Sequence, residues 1–223
     1  MNASVLCAGI RLNAAHVSLL RTHARPVPRD VEKSRELSVF ARCRHCAEHP
    51  SSLDACVAAV SYAFPWADCI TRFKFQANPS LARALADLMR HAPWVEPALD
   101  AATLVVPMPL TRARLRERGY NQALELARHL APQKTDAHTL LRSGDSAHQV
   151  GASREERLDH VRDAFWVTPD RVTAVRGQRI VLLDDVMTTG ASLYEAARAL
   201  RAAGAAHITG MVLARTEARK FDH

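Results

Sequence analysis

Aromatic residues make up only 5% of the 223 residues. A surface that stacks successive nucleobases needs rows of aromatic rings, so no such platform is evident. No stretch approaches the roughly 18 consecutive apolar residues of a membrane span, and none is expected to cross a bilayer. A Gly-Lys pair occurs nowhere, which removes the phosphate loop of Walker-type nucleotide hydrolases. The opening residues, MNASVLCAGIR, have no basic n-region, and Arg11 interrupts their short apolar run. A secretory signal is therefore not expected, and a cytoplasmic location is.

Cysteine is also sparse. The five are Cys7, Cys43, Cys46, Cys56 and Cys69. An odd number with no regular spacing does not suit a disulfide framework. Cys43 and Cys46 alone have the two-residue spacing of metal ligands, with His45 and His49 close by. Tetrahedral zinc takes four ligands, so this pair is half of a Zn²⁺ site.

Acidic residues are short only at one end. Residues 1–46 hold eight Lys/Arg against three Asp/Glu, and the rest of the chain holds 22 against 20. The net charge of +7 is thus concentrated in the N-terminal segment. A basic terminus of this kind is either a solvated tail or a contact for nucleic acid.

What is present is a regular alternation that begins near residue 57. VAAVSYAF (57–64) reads as a strand and WADCITRFKF (66–75) as a short helix. SLARALADLMRHA (80–92) reads as a helix capped by Ser80, with Leu81, Leu85, Leu88 and Met89 on one face. TLVVPMPL (103–110) is a buried strand stopped by Pro107 and Pro109. A helix over 121–131, a short strand in AHTLLRS, and a helix over 153–165 capped by Ser153 follow. Then come a strand at Ile180–Leu183, a helix at Ser192–Ala203 closed by Gly204, and a last strand, HITGMVLAR. Strands alternating with helices predict an α/β fold, with a mostly parallel sheet flanked by helices. Such sheets bind ligands at the carboxyl ends of their strands.

The most informative stretch is RIVLLDDVMTTGASLYEAARAL (179–200). It is a strand that ends in two acids, then a small-residue turn, then a helix. Side chains alternate along a strand, so Asp184 and Asp185 are expected to point in different directions. Thr188, Thr189, Gly190, Ala191 and Ser192 lead into the helix. Backbone N–H groups at a helix start, with hydroxyls beside them, cradle a phosphate, and Gly190 lets the backbone approach closely. Carboxylates repel phosphate, so a site with both must address two parts of one ligand. A sugar phosphate meets both demands: vicinal hydroxyls donate to the acids and the phosphate takes the loop. Mg²⁺ on other oxygens of the ligand would add a reason for acids nearby. A plain helix cap after a core strand would explain one acid and one threonine only.

VLLDDVMTTGAS (181–192) resembles the phosphoribosyl pyrophosphate (PRPP) motif of type I phosphoribosyltransferases. RFKF (72–75), VVPMPLTRARLRERGYNQALELA (105–127), Gln149 and REERLDHVRDAF (154–165) narrow the resemblance to the ComF/GntX family, linked to bacterial competence and DNA uptake. The resemblance runs over residues 57–215. It implies a type I phosphoribosyltransferase fold over 57–223, preceded by an N-terminal extension, 1–56, with a remnant Cys-x-x-Cys. It implies that Asp184 and Asp185 hold ribose hydroxyls and that Thr188 to Ser192 hold the 5′-phosphate. Pro107, Met108 and Pro109 stand at the pyrophosphate-binding loop, with Arg118 and Lys74 at family positions beside it.

Of Arg112, Arg114, Arg116 and Arg118, the expected contact is Arg118, inside RGYNQ; the others read as a solvated helix face. The resemblance also implies Mg²⁺ with PRPP. Purine-salvage relatives carry an aspartate base three residues after the second acid, and here that residue is Thr188, which disfavours purine salvage. No general base stands out; His148 and His160 are histidines without further support.

Three departures from the family pattern are visible. The first of two Cys-x-x-Cys pairs is absent, with only Cys7 in residues 1–42. His160 stands where the family often has Asn, and Met108 where it usually has Val. Two functions follow: a phosphoribosyltransferase with an unidentified acceptor, or a PRPP-binding adaptor that handles single-stranded DNA or meets other competence proteins. Fold alone does not choose between them.

Overall fold

The structure is a computed structural model that describes residues 10–12, 52–75, 78–143 and 164–216. Five parallel strands form the sheet: β1 (Ile10–Leu12), β2 (Ala55–Ser61), β3 (Leu104–Pro107), β6 (Arg179–Met187) and β7 (His207–Arg215). Their order across it is β1-β2-β7-β6-β3. The parallel α/β architecture expected from the alternation is therefore present. β1 pairs Ile10 with Cys56 and adds an edge strand from a segment whose sequence shows no clear period. A separate antiparallel pair joins β4 (Leu140–Arg142) to β5 (Phe165–Val167).

Parallel strands need crossovers, and helices supply them. α1 (Trp66–Phe75), α2 (Leu81–Arg90) and α3 (Val95–Ala101) lie between β2 and β3 in the chain. α4 (Arg112–Arg118) and α5 (Gln122–Leu130) follow β3. A short helix, α6 (Val172–Val175), precedes β6, and α7 (Ala191–Ala202) joins β6 to β7. The central strands are buried on both faces. On one side Val181 and Leu183 pack with Ile70, Phe73, Met89 and Leu126. On the other, Ile180 and Leu182 pack with Leu193, Ala197, Leu200 and Phe165. Alternate residues of one strand thus serve two cores, which is why Ile180–Leu183 reads as an unbroken apolar run.

Several expectations shift by a turn or a face. The buried positions of α2 are Ala82, Leu85, Ala86 and Met89; Leu81 and Leu88 lie only at its flanks. Ser80 precedes α2 but makes no side-chain cap, because its hydroxyl bonds to Asn78 Oδ1 instead. Ala203 is the C-cap of α7, and Gly204 follows in the left-handed conformation at φ 94°. The helix expected over 153–165 falls on residues outside the described ones up to 163; Ala164 is in no element and Phe165 belongs to strand β5. Cys43, Cys46, His148, Gln149 and His160 also lie outside the described residues.

Candidate functional site

β6 is five residues longer than the apolar run predicts, extending from Arg179 to Met187. The two acids therefore sit inside the strand, not at its exit. Asp184 is paired with Val212 of β7, and pairing continues to Met187 and Arg215. On its other side β6 loses its neighbour earlier. β3 stops at Pro107, opposite Leu183. The next residue, Met108, donates its N–H to Leu183 O at 2.8 Å, and Pro109 then turns the chain away. Proline cannot donate to a ladder, so the VPMP sequence ends β3 there. Among the described residues the edge of β6 from Asp184 onward is left open, and a cleft of about 190 Å³ forms against it.

The cleft brings together most of the residues expected of the site. Its lining includes Asp184, Asp185 and the whole Thr188–Ser192 turn. Met108, Pro109, Lys74 and Arg118 line it as well. Pro107 does not: it is buried as the last residue of β3. Arg114, expected on a solvated helix face, lines the cleft instead, and Arg142 joins it without having been singled out from the sequence. Arg114 is the neighbour of Arg118 one turn back on α4. Arg142 comes from β4, and its short apolar sequence carries no motif that signals a site. Four cations thus face two acids.

The acids differ, as alternation requires. Asp184 is half-buried, and its Oδ1 accepts the Asp185 N–H at 2.8 Å. Burial and the neighbouring Asp185 carboxylate push its pKa up to about 7, against the pull of the Asp185 N–H, Lys74 and Arg142. Asp185 is buried. Its Oδ1 accepts the Val186 N–H at 2.6 Å and meets Lys74 Nζ at 3.3 Å. Its Oδ2 is buried with no hydrogen-bond partner among the described residues. A buried acceptor left unmade costs free energy.

The turn leads directly into α7. Gly190 is the N-cap of α7 at φ 81°. A Cβ there would displace Met187 Cε and come 2.8 Å from the Tyr194 ring, and the left-handed backbone itself favours glycine. The Thr189 hydroxyl accepts the Ala191 N–H at 3.4 Å. Ser192 and Leu193 lie in the first turn of α7, where N–H groups have no partner within the helix.

A larger hollow of about 240 Å³ lies at the opposite end of the sheet, beside α3. Its walls are mostly apolar, including Val57, Ala98, Ala102, Ile180 and Val181. It has no acid among its described lining residues. The smaller cleft, at the carboxyl ends of the strands, is the candidate site.

A parallel sheet with this acid pair and turn at its carboxyl edge defines a phosphoribosyltransferase-type domain. The family model described as "Phosphoribosyl transferase domain" matches residues 115–223. Among curated proteins, Competence protein F of Haemophilus influenzae is 32% identical over 189 residues, covering 81% of each chain. Competence protein ComFC of Bacillus subtilis is 31% identical over 190 residues, covering 82% of this chain and 75% of the relative. DNA utilization protein YhgH of Escherichia coli is 29% identical over 181 residues, covering 78% of each. The chain belongs to the ComF family.

Two solved structures also align over 65% of this chain at 17% identity. One is the allosteric regulatory enzyme of purine biosynthesis, with a TM-score of 0.40. The other is glutamine PRPP amidotransferase from B. subtilis complexed with ADP and GMP, with a TM-score of 0.39. This chain spans 30% of the length of each.

Proposed function

We propose that this chain binds PRPP together with Mg²⁺ and transfers its phosphoribosyl group to an acceptor, in a process tied to DNA uptake. The observation that carries the reading is the single cleft in which the unpartnered Asp185 Oδ2 lies beside the Thr188–Ser192 turn. Ribose hydroxyls donate to the acids, and the 5′-phosphate accepts from the turn and the start of α7. The diphosphate lies toward Met108–Pro109, Lys74, Arg114 and Arg118, where cations neutralise its charge. In the transfer the C1–O bond to diphosphate breaks and diphosphate leaves with the electron pair. The acceptor's lone pair forms the new bond to C1. The chain's contribution is positioning and charge stabilisation.

The residues suit Mg²⁺ only as a companion of the ligand. No group of three or more His, Cys, Asp or Glu that could hold a metal exists among the described residues. Mg²⁺ keeps waters and takes substrate phosphate oxygens, so one or two carboxylates suffice. The link to DNA uptake rests on the relatives, which are named for competence and DNA utilization.

The test is calorimetric titration of PRPP, with and without Mg²⁺, into the native chain and Asp184→Asn/Asp185→Asn. Saturable binding lost in the double variant supports the reading. No binding at millimolar PRPP by the folded native chain rejects it. One observation favours a second reading, an adaptor that contacts single-stranded DNA: α4 buries no residue, and Arg112 and Arg116 lie outside the cleft lining. Salt-dependent DNA binding that survives the double substitution would select it.

A further inference from the structure

α4 buries none of its seven residues, so the excursion from β3 to α5 is held at its ends. The RGYNQ stretch, 118–122, makes the holding contacts. Gly119, at φ 80°, closes α4 by donating its N–H to Leu115 O at 2.9 Å. The Tyr120 ring packs on Phe73 with centroids 5.7 Å apart, and its hydroxyl donates to Phe73 O. Asn121 caps α5 through Leu124 N at 3.2 Å, and its side-chain amide donates to Met108 O at 2.9 Å. Two carbonyls are thus gripped by adjacent residues. One belongs to the residue before Lys74. The other belongs to the first residue beyond β3.

Phe73 lies in the last turn of α1, where carbonyls have no partner within the helix. That turn also carries Lys74, whose ammonium reaches Asp185 Oδ1 at 3.3 Å. Fixing the Phe73 carbonyl therefore fixes where the Lys74 stem begins. The chain of contacts runs from the Tyr120 hydroxyl to the Phe73 carbonyl, through Lys74, to Asp185. We propose that Tyr120 is a positioning residue for the diphosphate side of the cleft: its hydroxyl sets Lys74 against Asp185 Oδ1 and so leaves Asp185 Oδ2 as the free acceptor. The proposal deepens the PRPP reading and rests on it for its effect on ligand binding. Burial raises the Tyr120 pKa above its ordinary value, so the hydroxyl remains a donor throughout the neutral range.

The test uses the full chain and Tyr120→Phe, which keeps the ring on Phe73 and loses only the hydroxyl. First, ligand-free protein is treated with an acetylating reagent, and labelling of Lys74 is compared with Lys134 by peptide mass spectrometry. Lys134 donates to Leu99 O at 2.8 Å, away from Tyr120, and serves as the internal reference. Labelling of Lys74 rises several-fold in Tyr120→Phe while that of Lys134 is unchanged. Unchanged Lys74 labelling in a folded variant overturns the proposal.

Second, PRPP affinity is measured for native, Tyr120→Phe, Lys74→Met and the double variant. Tyr120→Phe weakens binding about tenfold, the scale of one hydrogen bond acting through a charged group. It weakens binding little further in the Lys74→Met background, because the two residues act through one contact. Full additivity marks Tyr120 as merely structural and overturns the proposal. If the native chain binds no PRPP, the functional reading fails, and the labelling arm still decides the placement of Lys74.

Discussion

Lys74 and Asp185 meet at 3.3 Å across the cleft, one from the end of α1 and the other from β6, and both side chains are largely buried. Neither charge has much water. Removing one partner leaves the other uncompensated, which is costlier than never having had the pair. Lys74→Met is expected to lower unfolding free energy by roughly 3 kcal/mol. Adding Asp185→Asn to it recovers most of that loss. Urea unfolding of the three proteins checks both statements.

Asp184 gives the fold a pH dependence of definite sign. Its folded pKa is raised to about 7 from an ordinary 3.8. Between those values the unfolded chain has released the proton while the folded chain keeps it, so stability falls as pH rises through that window. Asp184→Asn removes the ionisation. The variant is expected to match the native protein near pH 4 and to melt at a higher temperature than it at pH 8. Melting temperatures across this range decide it; equal pH slopes in the two proteins would reject the account.

Gly190 combines a left-handed φ of 81° with side chains of Met187 and Tyr194 that a Cβ would have to displace. Alanine there faces both conformational strain and the Met187 and Tyr194 side chains. A loss of about 1–3 kcal/mol is expected from the backbone alone, with weaker phosphate binding as the turn shifts. Gly119→Ala is the control, because it has the same kind of φ, 80°, but nothing within 4 Å. It is expected to lose less stability than Gly190→Ala in urea.

The pair Cys56 and Cys69 reports on the packing of β2. Cys56 is fully buried, and burial pushes its thiol up to about 12. Cys69, on α1, is exposed. The thiolate is the reactive species. Alkylation of the folded chain, read by peptide mass spectrometry, is expected to modify Cys69 and spare Cys56 until denaturant is added.

These tests rest on features of unequal visibility. The sheet was legible because its strands are apolar runs with turn residues between them; HITGMVLAR corresponds residue for residue to β7. The Thr188–Ser192 turn was legible because small residues and hydroxyls before a helix have few other uses. The extent of β6 was not, since a carboxylate ordinarily ends a strand and here two continue it, paired only toward β7. α3 was hidden by Pro93 and Pro97, yet Pro97 sits in its first turn, where a missing N–H costs nothing. Arg142 was invisible because it reaches the cleft through the β4–β5 pairing, a relationship between residues over 20 positions apart. Tyr120 and Asn121 stood in a recognised motif, but only the tertiary contacts with Phe73 and Met108 show what they hold.

The arginines of α4 supply a test with its control built in. Arg114 and Arg118 line the cleft, whereas Arg112 and Arg116 do not. Arg118 is braced by Gln122 at 3.0 Å and lies over the Phe75 ring at 5.4 Å. Arg116 instead donates to the Arg112 carbonyl at 3.4 Å, within its own helix. A hydrogen bond to a charged group contributes about 1.5–3 kcal/mol, or roughly ten- to a hundred-fold in affinity. Arg114→Ala and Arg118→Ala are each expected to weaken PRPP binding on that scale. Arg112→Ala is expected to change it by less than about two-fold, as screened surface charges do. Equal losses at all three positions would mean that a diffuse positive field draws the ligand, not the cleft geometry, and the diphosphate would then have to be placed elsewhere.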